Sequence, residues 1–329
     1  MDSEMAAEAI GTDMDDQPKT TALTWIVRAV AAAAMIVVLW CVVTAGSAII
    51  YGNPAYTVLL TLTLVVSIFT MWRSFTAHSS RSGWRRVLRV LLVIGASAWV
   101  VFMWWLRPFT AVEPALAALD SDDRVTVTQS ASEIVMTPIG ESSPTGVFFQ
   151  PGARVDARAY AAVLRPLAES GHTVVIAKQP LGIAFLSINA FEHTQSEFPD
   201  ITRWVVGGHS LGGTVAAIEA NDHGSDASAP AVGLLLYASY PASNMSTSLR
   251  SQVLSISGTN DGLATPAKIQ ASAANLPADT RFEAIEGAVH SYFGDYGPQP
   301  GDGTPTISHD AARERISQLS VAFTQNLSQ

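Results

Sequence analysis

Cysteine and charge are both scarce in this chain, and each shortage excludes a class of protein. The single cysteine among 329 residues is Cys41. One thiol excludes a disulfide framework within the chain and a metal site built from several cysteines. Because Cys41 lies in an apolar run, it does not indicate a redox compartment. Asp, Glu, Lys and Arg make up 14% of the residues, whereas about a quarter is usual in a soluble domain.

Basic residues are fewest, relative to acidic ones, in the C-terminal two thirds of the chain. Residues 109–329 contain 11 Lys or Arg against 22 Asp or Glu, while residues 1–108 contain eight against six. Nucleic-acid binding needs a basic surface that neutralises phosphates, so the composition argues against nucleic acid as a partner. Residues 1–20 are acidic and poor in large apolar side chains, which predicts a disordered tail.

The excess of apolar sequence lies in three runs, near residues 29–50, 55–72 and 88–106. Each is close to or above the minimum of about 17 residues that a membrane-spanning helix needs. The first run could also be a signal peptide with a small-residue cleavage site near 45–48, but two more runs follow it at once. Three buried soluble helices would require more polar sequence between them. We therefore predict that residues 21–107 form a membrane region with three spans.

The connections between the runs predict an orientation. Residues 51–54, between the first two runs, carry no charge, whereas five arginines lie between the end of the second run and the first residues of the third: Arg73, Arg81, Arg85, Arg86 and Arg89. By the positive-inside rule the arginine-rich connection is cytoplasmic. The N-terminus is then also inside, and everything after Arg107 is extracytoplasmic, with the bilayer of the plasma membrane as a partner. A basic amphipathic helix over 82–89, lying on the membrane, would leave this topology unchanged.

Residues 108–123 contain two prolines and are predicted to be a linker, and a domain follows at 124–329. Strand-like and helix-like segments alternate through this domain, which indicates a mostly parallel α/β sheet. The predicted strands are 125–129, 133–138, 146–150, 173–177, the segment ending at 208, 231–237, 252–257 and 281–285. Helices are expected from the Asp156 cap to Gly171, with Pro166 kinking or shortening this helix, and over 183–193, 214–220, 266–276 and 311–327.

The clearest motif is Gly208-His209-Ser210-Leu211-Gly212, which fits the G-x-S-x-G nucleophile elbow. A strand-forming run precedes it and a helix-forming run follows it, as the motif requires. A serine on so sharp a turn is strained, and a Cβ two residues before or after it would collide across the turn. The alternative is an ordinary glycine-rich turn between a strand and a helix.

A serine nucleophile needs a base within hydrogen-bond reach and a third group that orients the base. Asp261 follows the strand 252–257, and His290 follows the strand 281–285. With Ser210 these residues give the order nucleophile, acid, base that is typical of α/β-hydrolases. Taken singly, Asp261 could be a turn former and His290 an idle loop histidine. No pair of His, Asp or Glu has metal-ligand spacing on one element, so we predict chemistry without a metal or other cofactor.

An oxyanion hole needs two backbone N–H groups near the serine. Leu211 should supply one, and the loop after the strand 146–150 should supply the other. Pro151 has no N–H, so Gly152 or Ala153 must donate, and Ala153 is preferred. The connection from Tyr237 to Gln252 is too short for a cap domain. The loops 181–198 and 291–306 are therefore expected to shape the pocket, for which the candidate residues are Gly152, His209 and Phe293.

From about Gly146 onward, the chain resembles the α/β-hydrolase superfamily. It is most similar to a bacterial branch with a Pro-Gly-Gly-like oxyanion loop and a Val-Asp-x-Arg-x-Tyr segment, here Pro151-Gly152-Ala153 and Val155 to Tyr160. Ala153 stands where that branch usually has a second glycine. The resemblance implies an α/β-hydrolase fold, preceded by about three transmembrane helices, and a Ser-Asp-His mechanism.

These observations predict a membrane-anchored serine hydrolase that cleaves carboxylic esters through an acyl-enzyme. The substrate would be a small-molecule or lipid ester, and the acyl-chain length and oligomeric state stay open. Amide or thioester hydrolysis and perhydrolase chemistry could use the same triad. A binding module that has kept the fold without catalysis is the alternative from another functional class.

Overall fold

The computed structural model of the chain describes residues 22–76 and 83–328. The predicted tail at 1–20 and Arg81 of the arginine-rich connection lie outside these described residues. The chain divides into two compact units. One holds the described residues up to Trp40 together with Leu60–Trp105, and the other holds Cys41–Leu59 and the described residues from Leu106 onward.

Three long helices form the N-terminal part, α1 (Ala22–Tyr51), α2 (Ala55–Thr76) and α3 (Gly83–Trp105). All three are long and apolar enough to cross a bilayer, judged by length and composition. Large apolar side chains on them are more than half exposed in the isolated chain, as expected for surfaces that lipid covers. Examples are Ile36, Val43, Phe69, Leu92 and Val101.

The helices extend beyond the apolar runs that the sequence analysis identified. The α1 helix begins at Ala22 instead of 29, and α2 continues to Thr76 instead of 72. The α3 helix begins at Gly83 instead of 88 and ends at Trp105, so Arg85 and Arg86 belong to its first turns. Arginine is a good helix former, so a helix continues past the point where hydropathy falls. A kink interrupts α1 at Ala45, whose φ and ψ are −139° and 21°.

The C-terminal part is built on one eight-stranded sheet in the order β1-β2-β4-β3-β5-β6-β7-β8. Strands β3 to β8 run parallel, while the β1–β2 hairpin joins the edge of β4 with antiparallel pairing. This confirms the predicted mostly parallel α/β sheet. The strands are β1 (Val125–Gln129), β2 (Glu133–Pro138), β3 (Thr145–Gln150), β4 (Val174–Ala177), β5 (Arg203–His209), β6 (Ala231–Tyr237), β7 (Gln252–Gly258) and β8 (Arg281–Ile285).

Five helices accompany the sheet: α4 (Ala161–Glu169), α5 (Ala190–Glu197), α6 (Leu211–His223), α7 (Pro266–Ser272) and α8 (His309–Leu327). Asp156 caps a 3₁₀ turn, Ala157–Tyr160, that leads into α4, and Pro166 lies inside α4 without ending it. The prediction of a single helix over 183–193 is wrong. A 3₁₀ turn, Ala184–Ser187, precedes α5 there, because Asn189 takes up non-helical angles as the cap of α5.

Residues 108–123 do not form the free linker that was expected. Ala111 and Ala115 are buried in the core of the domain. Phe109 pairs with Val155 through a β-bridge, and the Asp156 carboxylate accepts the N–H of Ala111 at 3.3 Å. The segment is therefore part of the domain, since its backbone groups also find partners on the loop after β3.

Both faces of the sheet are covered, as a parallel sheet requires. Alternate side chains of β3 point to opposite faces of the sheet. Val147 and Phe149 join the core under α4 and α8, and Phe148 joins the core that contains Phe191 and Trp204. The carboxyl ends of β3, β4, β5, β7 and β8 consequently meet at one edge, where loops can present polar side chains.

Candidate active site

Ser210 lies on the turn between β5 and α6, with φ and ψ of 52° and −124°. A positive φ on a non-glycine residue is strained and needs support from its surroundings. The turn is held by Ser210, whose N–H donates to the Tyr237 carbonyl at 3.0 Å, and by Ser239, whose hydroxyl donates to the Ser210 carbonyl at 2.6 Å. A Cβ on Gly208 would collide with the backbone of Gly212, and one on Gly212 with the carbonyls of the loop after β3.

Asp261 and His290 meet at the same edge of the sheet. The His290 Nδ1 and the Asp261 Oδ2 are 2.8 Å apart, and the exposed fractions of the two residues are 2% and 3%. The other carboxylate oxygen of Asp261 accepts the N–H groups of Leu263 and Ala264, both at 2.7 Å. These two donors fix the carboxylate, so that its Oδ2 atom faces the His290 imidazole.

The His290 ring also lies beside the elbow. Its centroid is 4.6 Å from that of His209, the residue immediately before Ser210. The structure thus brings the three predicted residues Ser210, Asp261 and His290 to one end of the sheet. Their burial differs, since Ser210 is half-buried and the other two are buried, so Ser210 is the one most accessible to solvent.

Asp302 ties the loops of Asp261 and His290 together, and no sequence motif pointed to it. Its carboxylate accepts the N–H groups of His290 at 3.0 Å, Ser291 at 2.8 Å and Gly303 at 2.8 Å, and that of Gly262, next to Asp261, at 3.3 Å. Burial alone raises the pKa of Asp302, but these four backbone donors outweigh it and hold the pKa below its ordinary value. The available signal was an aspartate between two glycines in the loop after the base.

In the loop after β3, Gly152 and Ala153 differ in whether their backbone N–H groups are hydrogen-bonded. The Gly152 N–H donates to the Tyr160 hydroxyl at 2.9 Å, whereas the Ala153 N–H has no acceptor among the described residues. Leu211 is the first residue of α6, where amides lack an acceptor within the helix. Ala153, Leu211 and Ser210 are all half-buried. This arrangement favours Ala153 over Gly152 as the second oxyanion donor.

The three predicted pocket residues are all buried, so none of them is an exposed wall of the pocket. His209 and Phe293 are 0% exposed and stack with an interplanar angle of 8°. Gly152 lies so close to His209 that a Cβ would come within 2.7 Å of the ring nitrogen Nδ1. These residues pack behind the reactive groups because the small glycine lets the His209 ring approach the loop.

His209 and Tyr160 form a buried support for the loop after β3. The Tyr160 hydroxyl and the His209 Nδ1 are 2.8 Å apart. Burial, and secondly the neighbouring His290, hold the pKa of His209 well below its ordinary range, so the ring is neutral. Because the hydroxyl oxygen already accepts from Gly152, its hydrogen is assigned to the Nδ1 lone pair. Tyr160 therefore links the Gly152 amide to the elbow residue His209.

Comparison with known proteins places this geometry in a family. The sequence model of the alpha/beta hydrolase family matches residues 146–314, which is just over half of the chain. The chain belongs to the alpha/beta hydrolase family. A search of curated protein sequences finds no match. This alpha/beta hydrolase holds no group of three or more His, Cys, Asp or Glu residues that could bind a metal ion within 22–76 and 83–328.

Solved structures with a similar fold include three hydrolases. A variant of the esterase rPPE is 17% identical, with 65% of this chain and 87% of that chain covered and a TM-score of 0.44. A fungal esterase from Rhizomucor miehei is 14% identical, with coverages of 66% and 86% and a TM-score of 0.44. An alpha-beta serine hydrolase homologue from Coxiella burnetii is 14% identical, with coverages of 62% and 98% and a TM-score of 0.41.

The hydrolase domain also buries a polar network beneath the loop after β3. The Gln179 amide donates to the Pro151 carbonyl at 3.0 Å and to the Gln150 side-chain oxygen at 2.8 Å. The Gln150 amide in turn donates to the Glu219 carboxyl group on α6 at 2.9 Å. Burial raises the pKa of Glu219 from 4.5 to about 8, although the hydrogen bond from Gln150 opposes the shift. Glu219 is consequently protonated and neutral at pH 7.

We predict that Tyr160→Phe lowers kcat by about tenfold and destabilises the protein by about 1–3 kcal/mol, because it leaves the Gly152 amide and His209 without partners. Tyr237→Phe is the matched control, since it removes a buried hydroxyl that bonds to Ser320 at 2.6 Å. It should lose stability without a comparable loss of kcat. Kinetics on an ester and thermal unfolding of both variants test this, and equal kcat values for the two would contradict it.

We predict that Glu219 makes the protein less stable as pH rises. A carboxyl group whose pKa is 4.5 unfolded and about 8 folded binds its proton more tightly in the folded state. Its contribution is therefore complete below about pH 4.5 and is lost as pH rises to about 8. Glu219→Gln should flatten the decline of the unfolding temperature over this range, while the exposed control Glu314→Gln should keep it. An unchanged slope in Glu219→Gln would show that another group titrates.

Proposed function

We propose that this protein is a membrane-anchored serine hydrolase that cleaves carboxylic esters. The observation that carries the proposal is the buried Asp261–His290 pair, 2.8 Å apart, at the sheet edge where Ser210 lies on a strained turn. Strain of this kind places a side chain clear of the backbone around it, where a substrate can meet it. Family membership supports a hydrolase, and the triad assignment supports an acyl-enzyme route.

In this mechanism the Ser210 hydroxyl attacks the ester carbonyl while the His290 Nε2 takes its proton. The tetrahedral oxyanion is bound by the N–H groups of Leu211 and Ala153. His290 then donates the proton to the departing alcohol, which leaves an acyl group on Ser210. Water, activated by the same imidazole, releases the acid. Asp261 keeps the ring oriented and stabilises its positive charge through Nδ1.

An ester is the preferred substrate because an alcohol leaves more readily than an amine when one histidine is the only proton donor. Amide or thioester hydrolysis and perhydrolase chemistry on the same triad are the alternative reactions. A binding module without catalysis is disfavoured, since such modules usually lose a member of the triad and this chain has all three.

We also propose that the hydrolase domain is extracytoplasmic and that the protein resides in the plasma membrane. The support is the charge of the connections: Arg73, Arg85, Arg86 and Arg89 flank the connection between α2 and α3, and residues 51–54 carry no charge. Arg28, Arg89 and Arg107 lie near the ends of the predicted spans. A transport pathway usually contains charges in the middle of its spans, so the spans are assigned to anchoring.

We predict that Ser210→Ala and His290→Ala each lower turnover by roughly 10⁴-fold, because either change removes the nucleophile or its base. The test uses the full chain in detergent and p-nitrophenyl esters from acetyl to palmitoyl, with a fluorophosphonate probe to label Ser210. His193→Ala, an exposed histidine on α5, is the control and should retain turnover. Wild-type activity in Ser210→Ala would refute the triad. Absence of both turnover and labelling in folded protein would favour the binding module.

We predict that alkaline phosphatase fused after Pro108 is active and that a fluorescent protein inserted at Arg81 is fluorescent, since the first reporter needs export and the second needs the cytoplasm. The reverse pair of results would place the hydrolase domain inside the cell.

A further inference from the structure

The turn that joins α1 to α2 packs against the active-site edge of the hydrolase sheet. The Asn53 side-chain amide donates to the carbonyl of Lys178, the residue after β4, at 3.0 Å. The Arg158 guanidinium lies 4.7 Å from the centroid of the Tyr51 ring. A small cavity lies between the turn and this edge of the sheet. Its lining includes Gly52 and Tyr56 on the side of the turn and Pro151, Arg154 and Gly182 on the side of the sheet. The loop after β3 and the start of the loop after β4 therefore lie beside this turn.

The loop after β4 continues from this contact toward the nucleophile. Gly182 accepts the N–H of Arg154 at 2.7 Å, which joins the loop to the one after β3. The 3₁₀ turn Ala184–Ser187 then contacts α6, the helix that begins immediately after Ser210. Ala184 is fully buried and anchors this turn. The loop consequently forms a rim of the site between Ser210 and the α1–α2 turn.

This rim is apolar and exposed. No charged residue occurs from Gln179 to Phe191, and Phe185, Leu186 and Ile188 are exposed by 46%, 56% and 41%. Five large apolar side chains are exposed in the described part of the hydrolase domain, residues 124–328, and these are three of them. The other two, Ile139 and Phe282, lie apart from the rim and from each other. Clustered exposure of this kind marks a surface that another apolar phase covers.

We infer that the Phe185–Ile188 rim inserts into the bilayer and that the site takes its ester from the membrane. The occupant is assigned as lipid because the rim adjoins a three-residue turn between two candidate spans, and so short a turn must lie at the membrane surface. Removing a large apolar side chain from water is favourable. Insertion is thus favourable for this loop without a further partner.

The inference rests on the proposed ester hydrolysis and specifies its substrate class. The substrate is a lipid with an acyl ester near the membrane surface, whose chain passes along the rim while its carbonyl reaches Ser210. Ester-modified wall polymers, which lack a membrane-embedded chain, do not use this surface. The proposal predicts a preference for esters embedded in a bilayer over the same chemistry in solution.

The first experiment measures membrane contact without using activity. In a Cys41→Ala background, the full chain carries a single bimane-labelled cysteine at Leu186→Cys and is reconstituted into phosphatidylcholine vesicles with and without bromine on the acyl chains. We expect brominated lipid to quench Leu186→Cys and to leave Ile139→Cys unquenched. Ile139 is equally apolar and 55% exposed, but it follows β2 at the opposite edge of the sheet. Equal behaviour at the two positions would overturn the inference.

The second experiment compares two substrates in the same vesicles, 4-methylumbelliferyl palmitate embedded in the bilayer and the soluble acetate. The triple variant Phe185→Ser, Leu186→Ser, Ile188→Ser should lower the palmitate-to-acetate rate ratio by about tenfold or more, because each serine weakens membrane contact. The double control Ile139→Ser, Phe282→Ser should keep the ratio. An unchanged palmitate-to-acetate ratio in the triple variant would overturn the substrate assignment, whether both rates are kept or both fall by the same factor.

The two experiments separate this inference from the proposed function. Absence of turnover and of fluorophosphonate labelling would end the esterase proposal, whereas the quenching would still report whether the rim meets lipid. Disulfide-linked dimers of unlabelled Leu186→Cys, formed in vesicles without quenching of the labelled protein, would show that a second copy covers the rim and would overturn the inference.

Discussion

The close backbone approach around Ser210 is the constraint on which the rest of the site depends. The turn from β5 into α6 closes only because positions 208 and 212 lack a Cβ, since the backbone of the elbow and of the loop after β3 occupies the space that those atoms would need. The same approach brings the loop after β3 within reach of the first amides of α6. One steric condition thus sets both the serine's position and the distance between the two proposed oxyanion donors.

Hydrogen bonds join the loops around the site, and those of Tyr160 and Gln150 are buried. The loops that carry Asp261 and His290 share one carboxylate, Asp302, and the loop after β3 is joined to the elbow through a tyrosine and to α6 through two glutamines and Glu219. In a region of low dielectric such bonds are strong when complete and costly when broken. The loops are therefore expected to hold their arrangement before a substrate arrives, which lowers the cost of orienting the reacting groups.

The fold could be predicted from the sequence because it follows from local patterns. Strand and helix periodicities predicted the sheet, and the turns that follow three strands led to the proposed triad of Ser210, Asp261 and His290. Tyr160, Asp302 and Gln179 were missed, since their importance lies in contacts with loops distant in the sequence. Phe293 and His209 were expected to line the pocket but are buried, because aromatic residues near a site pack behind it as readily as in front of it. Hydropathy identified the three N-terminal helices but underestimated their lengths. Arginine continues a helix beyond the apolar run, and hydropathy alone does not detect that continuation.

The bond from Gly152 to Tyr160 has a consequence for how this site can change in evolution. Tyr160 occupies its position only while residue 152 has no side chain and residue 209 offers a ring nitrogen, so the three positions share a single space. A larger residue at any one of them displaces the other two. Among relatives, these positions should therefore be inherited as a set, with lineages replacing all three together rather than one by one.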